Sequence, residues 1–215
     1  MAADLEFFFD PICPWAWITS RWVTNVAEQR SYEVDWRFIS LWMVNEDNTK
    51  EWYTPEYRNG HYRGHQALRI ADAIRCDPGL DADAVGRWYT TVGTALHVES
   101  RREEAAAEPL VFLAGLLADA GFDAGLISAA DDESHDEHLR AETELALSRT
   151  GRDVGTPILT FHPGEATESS FFGPVIAKAP KGPDALKLWD AVETMATMSG
   201  MAELKRSLRD APDFS

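Results

Sequence analysis

The first part of the chain has a pattern of apolar and polar positions that predicts a strand, a helix and a second strand. Residues 5–9 (LEFFF) form a short apolar run, which is typical of a buried strand. Apolar side chains then recur three and four positions apart over residues 14–30, as on one face of a helix. The next run, YEVDWRFISLW (32–42), alternates between apolar residues such as Trp36 and charged ones such as Arg37, which indicates a second strand. Together these elements predict a βαβ unit.

A helical pattern dominates the middle of the chain. Four runs carry apolar residues three and four positions apart, and prolines and glycines mark where they begin and end. These runs are HQALRIADAIR, AVGRWYTTVGTALH, EPLVFLAGLLADAG and DEHLRAETELALSR. We interpret residues 53–149 as a helical insertion in a core formed by residues 1–52 and 150–215.

Strand character returns towards the end of the chain. Residues 156–161 (TPILTF) and 169–175 (SSFFGPV) have the pattern of two strands joined by a loop. Pro183 opens a helical run, and a last short helix is predicted at 201–208. The predicted order is β-α-β, a helical block, and β-β-α, which makes this an α/β fold.

Composition and charge narrow the function classes. Of the 215 residues, 45% are hydrophobic, which suits one large domain or a core with one insertion. The formal net charge is −16, and such a surface repels phosphate groups, so we expect neither nucleic acid nor an anionic membrane as a partner. The N-terminal sequence lacks a basic segment followed by an apolar one, and no apolar run reaches membrane-spanning length. We therefore expect a cytoplasmic protein.

The candidate chemistry lies where the first predicted strand meets the first predicted helix, in the sequence DPICPWAW. Cys13 would stand at the N-terminus of that helix, because Pro14 suits the first helical turn. The unpaired N–H groups and partial positive charge of a helix N-terminus stabilise a thiolate. We therefore predict that Cys13 is a reactive nucleophile. A buried structural cysteine is the alternative.

The chain lacks the second cysteine of a redox motif. A C-x-x-C protein would carry it at position 16, where this chain has Ala16. A disulfide within the motif cannot form, so an external thiol would have to resolve a mixed disulfide on Cys13. Nothing in the sequence brings Cys76 close enough to take that part, and we interpret it as structural. His61 and His65 have a spacing that can hold a metal, but no matching Asp, Glu or Cys ligands accompany them, so we predict no metal. No G-x-G-x-x-G or Walker sequence is present, so we predict no bound nucleotide.

A second candidate element is the dipeptide Thr156-Pro157, at the start of the third predicted strand. A proline at such a place can take a cis peptide bond. The backbone of Thr156 could then pair with an extended thiol substrate, as an added strand would. An ordinary trans proline at a strand start is the alternative.

These features together resemble the thioredoxin-fold DsbA family. The order of elements, C-P-W at the first helix and T-P before the third strand carry the resemblance over the whole chain. Six stretches resemble a cytosolic actinobacterial subgroup, the mycothiol-dependent nitroreductase type: DPICPWAWITSRW, ISLWMVNE, PEYRNG, DVGTPIL, FFGPV and AELKR. More distantly, the chain is similar to kappa-class glutathione transferases and 2-hydroxychromene-2-carboxylate isomerases.

The resemblance implies a thioredoxin-like β-α-β…β-β-α core with a helical insertion domain. It also implies a thiol reductase that uses a low-molecular-weight thiol, mycothiol rather than glutathione. The family's nucleophile falls on Cys13 and its cis-proline on Pro157, and its pocket-lining residues fall on Trp15, Asn45 and Tyr57. The candidate thiol- and substrate-binding residues are then Pro14, Trp15, Asn45, Tyr57, Thr156 and Pro157.

The leading hypothesis is a monothiol (Cys-Pro-Trp-Ala) oxidoreductase that reduces a disulfide or a nitroaromatic-type electrophile with a small thiol. Its partners would be that thiol and a small aromatic or disulfide substrate, and a homodimer stays open. One alternative is a kappa-type thiol transferase or isomerase. Another is a non-catalytic binding protein that lost its redox function when position 16 became alanine.

Overall fold

The strands of the protein form one sheet in the computed structural model, which describes residues 3–208 and 210–215. Among those residues the strand order is β2-β1-β3-β4. The strands are β1 (Leu5–Phe9), β2 (Val34–Phe38), β3 (Ile158–Phe161) and β4 (Ser169–Phe172). β1 runs antiparallel to β3, with Leu5 opposite Phe161, and β3 runs antiparallel to β4, with Ile158 opposite Phe172. Every residue of β1 and β3 is buried, as their apolar sequences predict.

The described residues divide into two compact units, and the sheet belongs almost wholly to the first. This unit consists of the described residues of Met1–Phe9, Pro14–Arg37 and Leu147–Ser215. It contains helices α1 (Pro14–Arg30) and α8 (Pro183–Thr197). The indole rings of Trp22 and Trp189 lie 5.4 Å apart between centroids, and Trp22 Nε1 donates a hydrogen bond to the Ala185 carbonyl at 2.9 Å. Two large aromatic side chains therefore join α1 to α8 in the core of this unit.

The second unit consists of Asp10–Cys13 and Phe38–Ala146 and is helical. Its α-helices are α2 (Leu41–Val44), α3 (Pro55–Cys76), α4 (Ala84–Gly93), α5 (Arg102–Ala107), α6 (Pro109–Asp119) and the first part of α7 (Asp136–Thr150). A π-helical turn continues α4 over Thr94–Val98, and 3₁₀ segments cover Ala124–Asp131 and Glu133–His135. In the part of the chain that the structure describes, no helix combines the length and apolar character needed to cross a membrane.

Helix α3 has the sequence signals that the start of a helix requires. The Thr54 hydroxyl accepts a hydrogen bond from the Tyr57 N–H group at 3.4 Å, and Pro55 occupies the first turn. Its buried face packs on α4, where Trp88 Nε1 donates to the Ala67 carbonyl at 2.9 Å. α3 therefore forms a fixed support inside the second unit.

The α/β class and the order of elements are confirmed, including the bounds of β1 and α1. β2 covers only Val34–Phe38 of the run predicted at 32–42. β3 begins at Ile158 rather than Thr156, since Pro157 has no N–H group to donate to a sheet. β4 ends at Phe172, because Gly173 leaves the extended conformation with a φ of 97°. The predicted domain bounds, 1–52 with 150–215 for the core and 53–149 for the insertion, stay a prediction.

The helix predicted at 201–208 is wrong, since those residues are irregular. Gly200 has a φ of 85°, which breaks the path from α8. Leu204 and Leu208 are 75% and 87% exposed, so the segment buries no apolar face. A short helix without such packing is marginal in water.

Candidate functional site

Cys13 immediately precedes α1, at the helix N-terminus where the sequence predicts it. Its backbone N–H group donates a hydrogen bond to the Asp10 carbonyl at 3.0 Å, which closes a tight turn over residues 10–13, here called the cysteine loop. Cys13 is only 7% exposed, so the exposure that we expect at a helix end is wrong for this residue. The N-terminal dipole of α1 favours the thiolate, and apolar burial favours the thiol.

Asp10 is the buried acid of the cysteine loop. Its side chain is 0% exposed, Oδ1 accepts from the Ile12 N–H group at 3.0 Å, and Oδ2 accepts from the Leu41 N–H group at 2.8 Å. Burial raises the pKa of Asp10 to about 7, although the two backbone hydrogen bonds act in the opposite direction. The carboxyl group therefore titrates near neutral pH. An Asp-Pro pair after a strand is an ordinary turn signal, so no sequence pattern singles out Asp10.

His97 holds the cysteine loop from the π-helical turn. Its Nε2 lies 2.9 Å from the Pro11 carbonyl oxygen, and its Nδ1 lies 2.9 Å from a guanidinium nitrogen of Arg102. A carbonyl only accepts and a guanidinium only donates, so the ring proton is assigned to Nε2. Burial lowers the pKa of His97 to about 4, so the ring is neutral at physiological pH. The sequence pattern around His97 is an unbroken helical one and gives no sign of this contact.

Helix α3 passes close beneath the cysteine loop at Gly64. A Cβ atom at this position would lie 2.5 Å from Asp10 Oδ1 and 3.1 Å from the Cβ of Ile12. Real Cβ atoms do not approach an oxygen so closely, so the contact requires a glycine. The loop is thereby fixed against a helix as well as by hydrogen bonds.

An aromatic cluster, formed by Trp52, Tyr53, Tyr57 and His61, surrounds the start of α3. Trp52 and Tyr57 are 52% and 56% exposed, and their rings meet edge to face with centroids 5.9 Å apart. Beneath them, the Tyr53 hydroxyl and His61 Nδ1 are 3.2 Å apart and hydrogen-bonded. Tyr57, His61 and Gly64 are spaced to share one face of α3, so the cluster and the contact with Asp10 lie along the same face.

Asn45, which the resemblance places in the pocket, ends α2. Its Nδ2 donates to the Leu41 carbonyl at 2.8 Å, and its Oδ1 accepts from Asn48 Nδ2 at 2.8 Å. Leu41 is also the residue whose N–H group binds Asp10, so α2 connects Asn45 to the cysteine loop through one helical turn.

The remaining predicted site residues belong to the first unit. Pro14 and Trp15 form the first turn of α1 and are half-buried. Thr156 and Pro157 are buried and joined by a cis peptide bond, and the Thr156 hydroxyl donates to the Phe8 carbonyl at 2.9 Å. The binding roles of these four residues stay predictions.

Several histidines of the second unit bind carboxylates instead of standing open as ligands. His65 bonds to Asp136 at 2.9 Å, and Asp72 accepts hydrogen bonds from both His135 and His138. Over residues 3–208 and 210–215, no three side chains of His, Cys, Asp or Glu are arranged to hold a metal ion. The expectation that the protein uses no metal stays a prediction.

Comparisons with known proteins find sequence matches over most of this chain. The family model described as "Rv2466c-like: Mycothiol-dependent nitroreductase Rv2466c" matches residues 12–206. The uncharacterized protein Rv2286c of Mycobacterium tuberculosis (strain ATCC 25618 / H37Rv) is 34% identical over 203 residues, which cover 94% of this chain and 81% of that protein. The range that the family model matches spans positions 13 and 157.

A solved structure supports the fold. The crystal structure of a candidate protein disulfide isomerase from Nitrosomonas europaea superimposes with a TM-score of 0.54 at 17% identity. The match covers 89% of this chain and 97% of that one. At this identity the likeness concerns the fold alone, and it confirms the predicted thioredoxin-like core with a helical insertion.

Proposed function

The chain belongs to the Rv2466c-like family of mycothiol-dependent nitroreductases, and we propose that it is a thiol-dependent reductase with Cys13 as its only redox cysteine. One observation carries this proposal: Cys13 lies at the N-terminus of α1, and the place of a resolving cysteine is taken by Ala16, which is 0% exposed. The reductant is a low-molecular-weight thiol, and the membership of this family favours mycothiol. The acceptor is a disulfide or a nitroaromatic-type electrophile.

With a disulfide, Cys13 performs two exchange steps. Its thiolate attacks one sulfur atom of the substrate RSSR, and RS⁻ leaves and takes up a proton as RSH. Cys13 then carries the mixed disulfide Cys13–S–SR. A small thiolate R′S⁻ attacks the SR sulfur, so Cys13 leaves as thiolate and RSSR′ is formed. Over the cycle, RSSR and R′SH become RSH and RSSR′, and Cys13 returns to its starting state.

With a nitro compound, the same cysteine supplies one of the two thiols that a two-electron reduction needs. Cys13 and one small thiol are oxidised to a mixed disulfide, while ArNO₂ is reduced to ArNO and one oxygen atom leaves as water. A second small thiol then releases Cys13 by exchange. Over the cycle, ArNO₂ and two RSH become ArNO, RSSR and H₂O.

The surroundings of Cys13 support a small partner. The side chain is 7% exposed, so a small thiol reaches the sulfur more easily than a protein thiol does. Cys76, the other cysteine, is exposed at the end of α3 and has no place in the motif. The exposed rings of Trp52 and Tyr57 offer faces on which a flat acceptor can stack. The binding roles predicted for six residues belong to this proposal as well: Pro14, Trp15, Asn45, Tyr57, Thr156 and Pro157.

The test compares three proteins: wild type, Cys13→Ser and the matched control Cys76→Ser. Reduction of a nitroaromatic and of a small disulfide is measured with mycothiol or glutathione as reductant. We expect Cys13→Ser to lose turnover and Cys76→Ser to keep it, with mycothiol the better reductant. Intact mass should show a mixed disulfide on the wild type and none on Cys13→Ser.

Three outcomes would contradict the proposal. Equal turnover of the wild type and Cys13→Ser would remove Cys13 from the chemistry. Thioether or isomerised products without disulfide would indicate a kappa-type transferase or isomerase. Absence of turnover, together with alkylation of Cys13 no faster than that of a peptide thiol, would indicate a binding protein.

A further inference from the structure

We propose that His97 is a positioning residue for Cys13, and that it acts by holding the Pro11 carbonyl group of the cysteine loop. The inference rests on the proposed function, because it takes Cys13 to be the nucleophile. His97 lies on a different element from the loop, in the π-helical turn Thr94–Val98, and belongs to the same compact unit. π-Helical turns often occur at functional sites.

The cysteine loop is held by hydrogen bonds from within and by a contact from His97. Four residues connect the end of β1 to the start of α1. Within the loop, the Asp10 carbonyl accepts from the Cys13 N–H group, and Asp10 Oδ1 accepts from that of Ile12. Pro11 has no N–H group, so its carbonyl is its one polar backbone group. The imidazole of His97 satisfies that buried carbonyl at 2.9 Å.

Arg102 makes His97 a donor of fixed direction. The guanidinium donates to Nδ1, so the ring proton lies on Nε2 and points at Pro11. His97 is 3% exposed and neutral, which keeps this arrangement unchanged across the physiological pH range. The chain Arg102–His97–Pro11 therefore orients the turn that ends at Cys13.

Loss of this donor has a defined chemical consequence. A buried carbonyl without a partner is unfavourable, so the loop would turn to expose Pro11 to water. The sulfur two residues later would then move away from the helix N-terminus that favours its thiolate. A displacement of about 1 Å of a reacting group can lower a rate by about 100-fold. His97 thus acts on the reactivity of Cys13 without touching the substrate.

The test measures alkylation of Cys13 by iodoacetamide as a function of pH, in a Cys76→Ser background that leaves one thiol. His97→Leu removes the donor, and we expect the rate at neutral pH to fall about tenfold and the pH profile to move to higher pH. His97→Gln keeps an N–H donor near the Nε2 position and should restore most of the rate. His162→Leu, in the β3–β4 connection of the other unit, is the matched control and should change nothing.

A second variant covers the case in which His97→Leu does not fold. Arg102 is exposed, so Arg102→Met should fold normally, as checked by circular dichroism. Without the Arg102 guanidinium, the proton of the neutral His97 ring is no longer confined to Nε2. We therefore expect Cys13 alkylation to slow about threefold. An unchanged profile in Arg102→Met, or in a folded His97→Leu, would overturn the inference. Equal losses in His97→Leu and His97→Gln would do so as well, because they would indicate packing and not the hydrogen bond.

The same data separate this inference from the proposed function. If the wild-type thiol reacts no faster than a peptide thiol, the proposed function fails. If the wild-type thiol is fast and remains equally fast without His97, only the positioning role fails.

Discussion

Ala16 lies in the first turn of α1, three residues after Cys13, where a C-x-x-C motif would carry its second cysteine. The substitution Ala16→Cys, made in a Cys76→Ser background, restores a C-x-x-C motif. We expect oxidation to produce an internal disulfide, with a mass loss of about two hydrogens and no mixed disulfide, because an intramolecular thiol competes at high effective concentration. Since Ala16 is fully buried, the added sulfur should also lower the free energy of unfolding by about 1–3 kcal/mol.

Two measurements decide that prediction: intact mass after oxidation and the count of titratable thiols. Ala16→Ser is the matched control, because it has nearly the same size and no redox chemistry. An Ala16→Cys protein that still accumulates the mixed disulfide would show that the sulfur atoms of residues 13 and 16 cannot meet, contrary to the expected geometry.

The buried carboxyl group of Asp10 should make the folded protein less stable as the pH rises. Burial raises its pKa from the ordinary 3.8 to about 7, so the folded protein binds this proton more tightly than the unfolded chain. The stabilisation is therefore complete below pH 3.8 and is lost as the pH rises through about 7. The full effect is about 4 kcal/mol at most.

The measurement compares urea unfolding of the wild type and Asp10→Asn at about pH 4 and about pH 8. Asp10→Asn cannot ionise, so the wild type should lose stability relative to the variant as the pH rises. Other carboxylates and histidines titrate in both proteins and cancel in the difference. A difference that stays constant or grows in favour of the wild type would show that Asp10 is not a buried acid with a raised pKa.

At the level of elements, helix α3 tests how closely the cysteine loop is packed, since it carries two glycines with opposite surroundings. At Gly64 a Cβ atom would collide with Asp10, whereas at Gly60 it would meet no atom within 4 Å. We expect Gly64→Ala to lower the free energy of unfolding by about 1–3 kcal/mol and to slow Cys13 alkylation. Gly60→Ala should raise stability by about 0.5–1 kcal/mol through helix propensity alone. Chemical denaturation measures the free energy of unfolding of both variants. Equal changes in Gly64→Ala and Gly60→Ala would contradict the close approach of Gly64 to Asp10.

The aromatic cluster at the start of α3 should affect substrate binding more than stability. Trp52 and Tyr57 are more than half exposed, so Trp52→Ala and Tyr57→Ala should change the free energy of unfolding by about 0.5 kcal/mol or less. Lost stacking should raise KM for a flat nitroaromatic about fivefold, with little change for a small aliphatic disulfide. Val111→Ala, at an apolar position on α6 that is 66% exposed, is the matched control. Equal KM changes for both acceptors would contradict recognition by stacking.

Helices and strands were predictable where the spacing of apolar residues and the turn residues at the ends of a run indicated the same element. LEFFF and the run after Pro14 predicted β1 and α1 with their observed bounds, because each pattern ends at a turn residue. The alternating run at 32–42 predicted β2 but extends beyond it at both ends. The helix at 201–208 failed, because local spacing does not say whether Leu204 and Leu208 have a surface to pack on. The π-helical turn was not predicted either, because its residues continue the apolar spacing of α4.

The candidate site was predictable only where a motif marks it. The place of Cys13 before a helix and that of Pro157 before a strand were predictable from local signals, while their roles in a site stay predictions. Asp10, Gly64 and His97 were missed, because their parts depend on contacts between residues far apart in the chain. His97 lies 86 positions from the Pro11 that it holds, and no local pattern encodes such a pair.

For the whole molecule, the formal net charge of −16 should control which reagents reach Cys13 quickly. Iodoacetamide and iodoacetate perform the same alkylation, but only iodoacetate is an anion. The protein's field should slow iodoacetate at low salt, and screening should remove that effect, because the Debye length falls from about 30 Å at 0.01 M to about 3 Å at 1 M. The rate ratio of iodoacetate to iodoacetamide, measured in Cys76→Ser, should therefore rise several-fold with salt. A ratio that falls with salt would mean that the positive end of α1 outweighs the net charge at Cys13, and anionic acceptors would then be favoured as substrates.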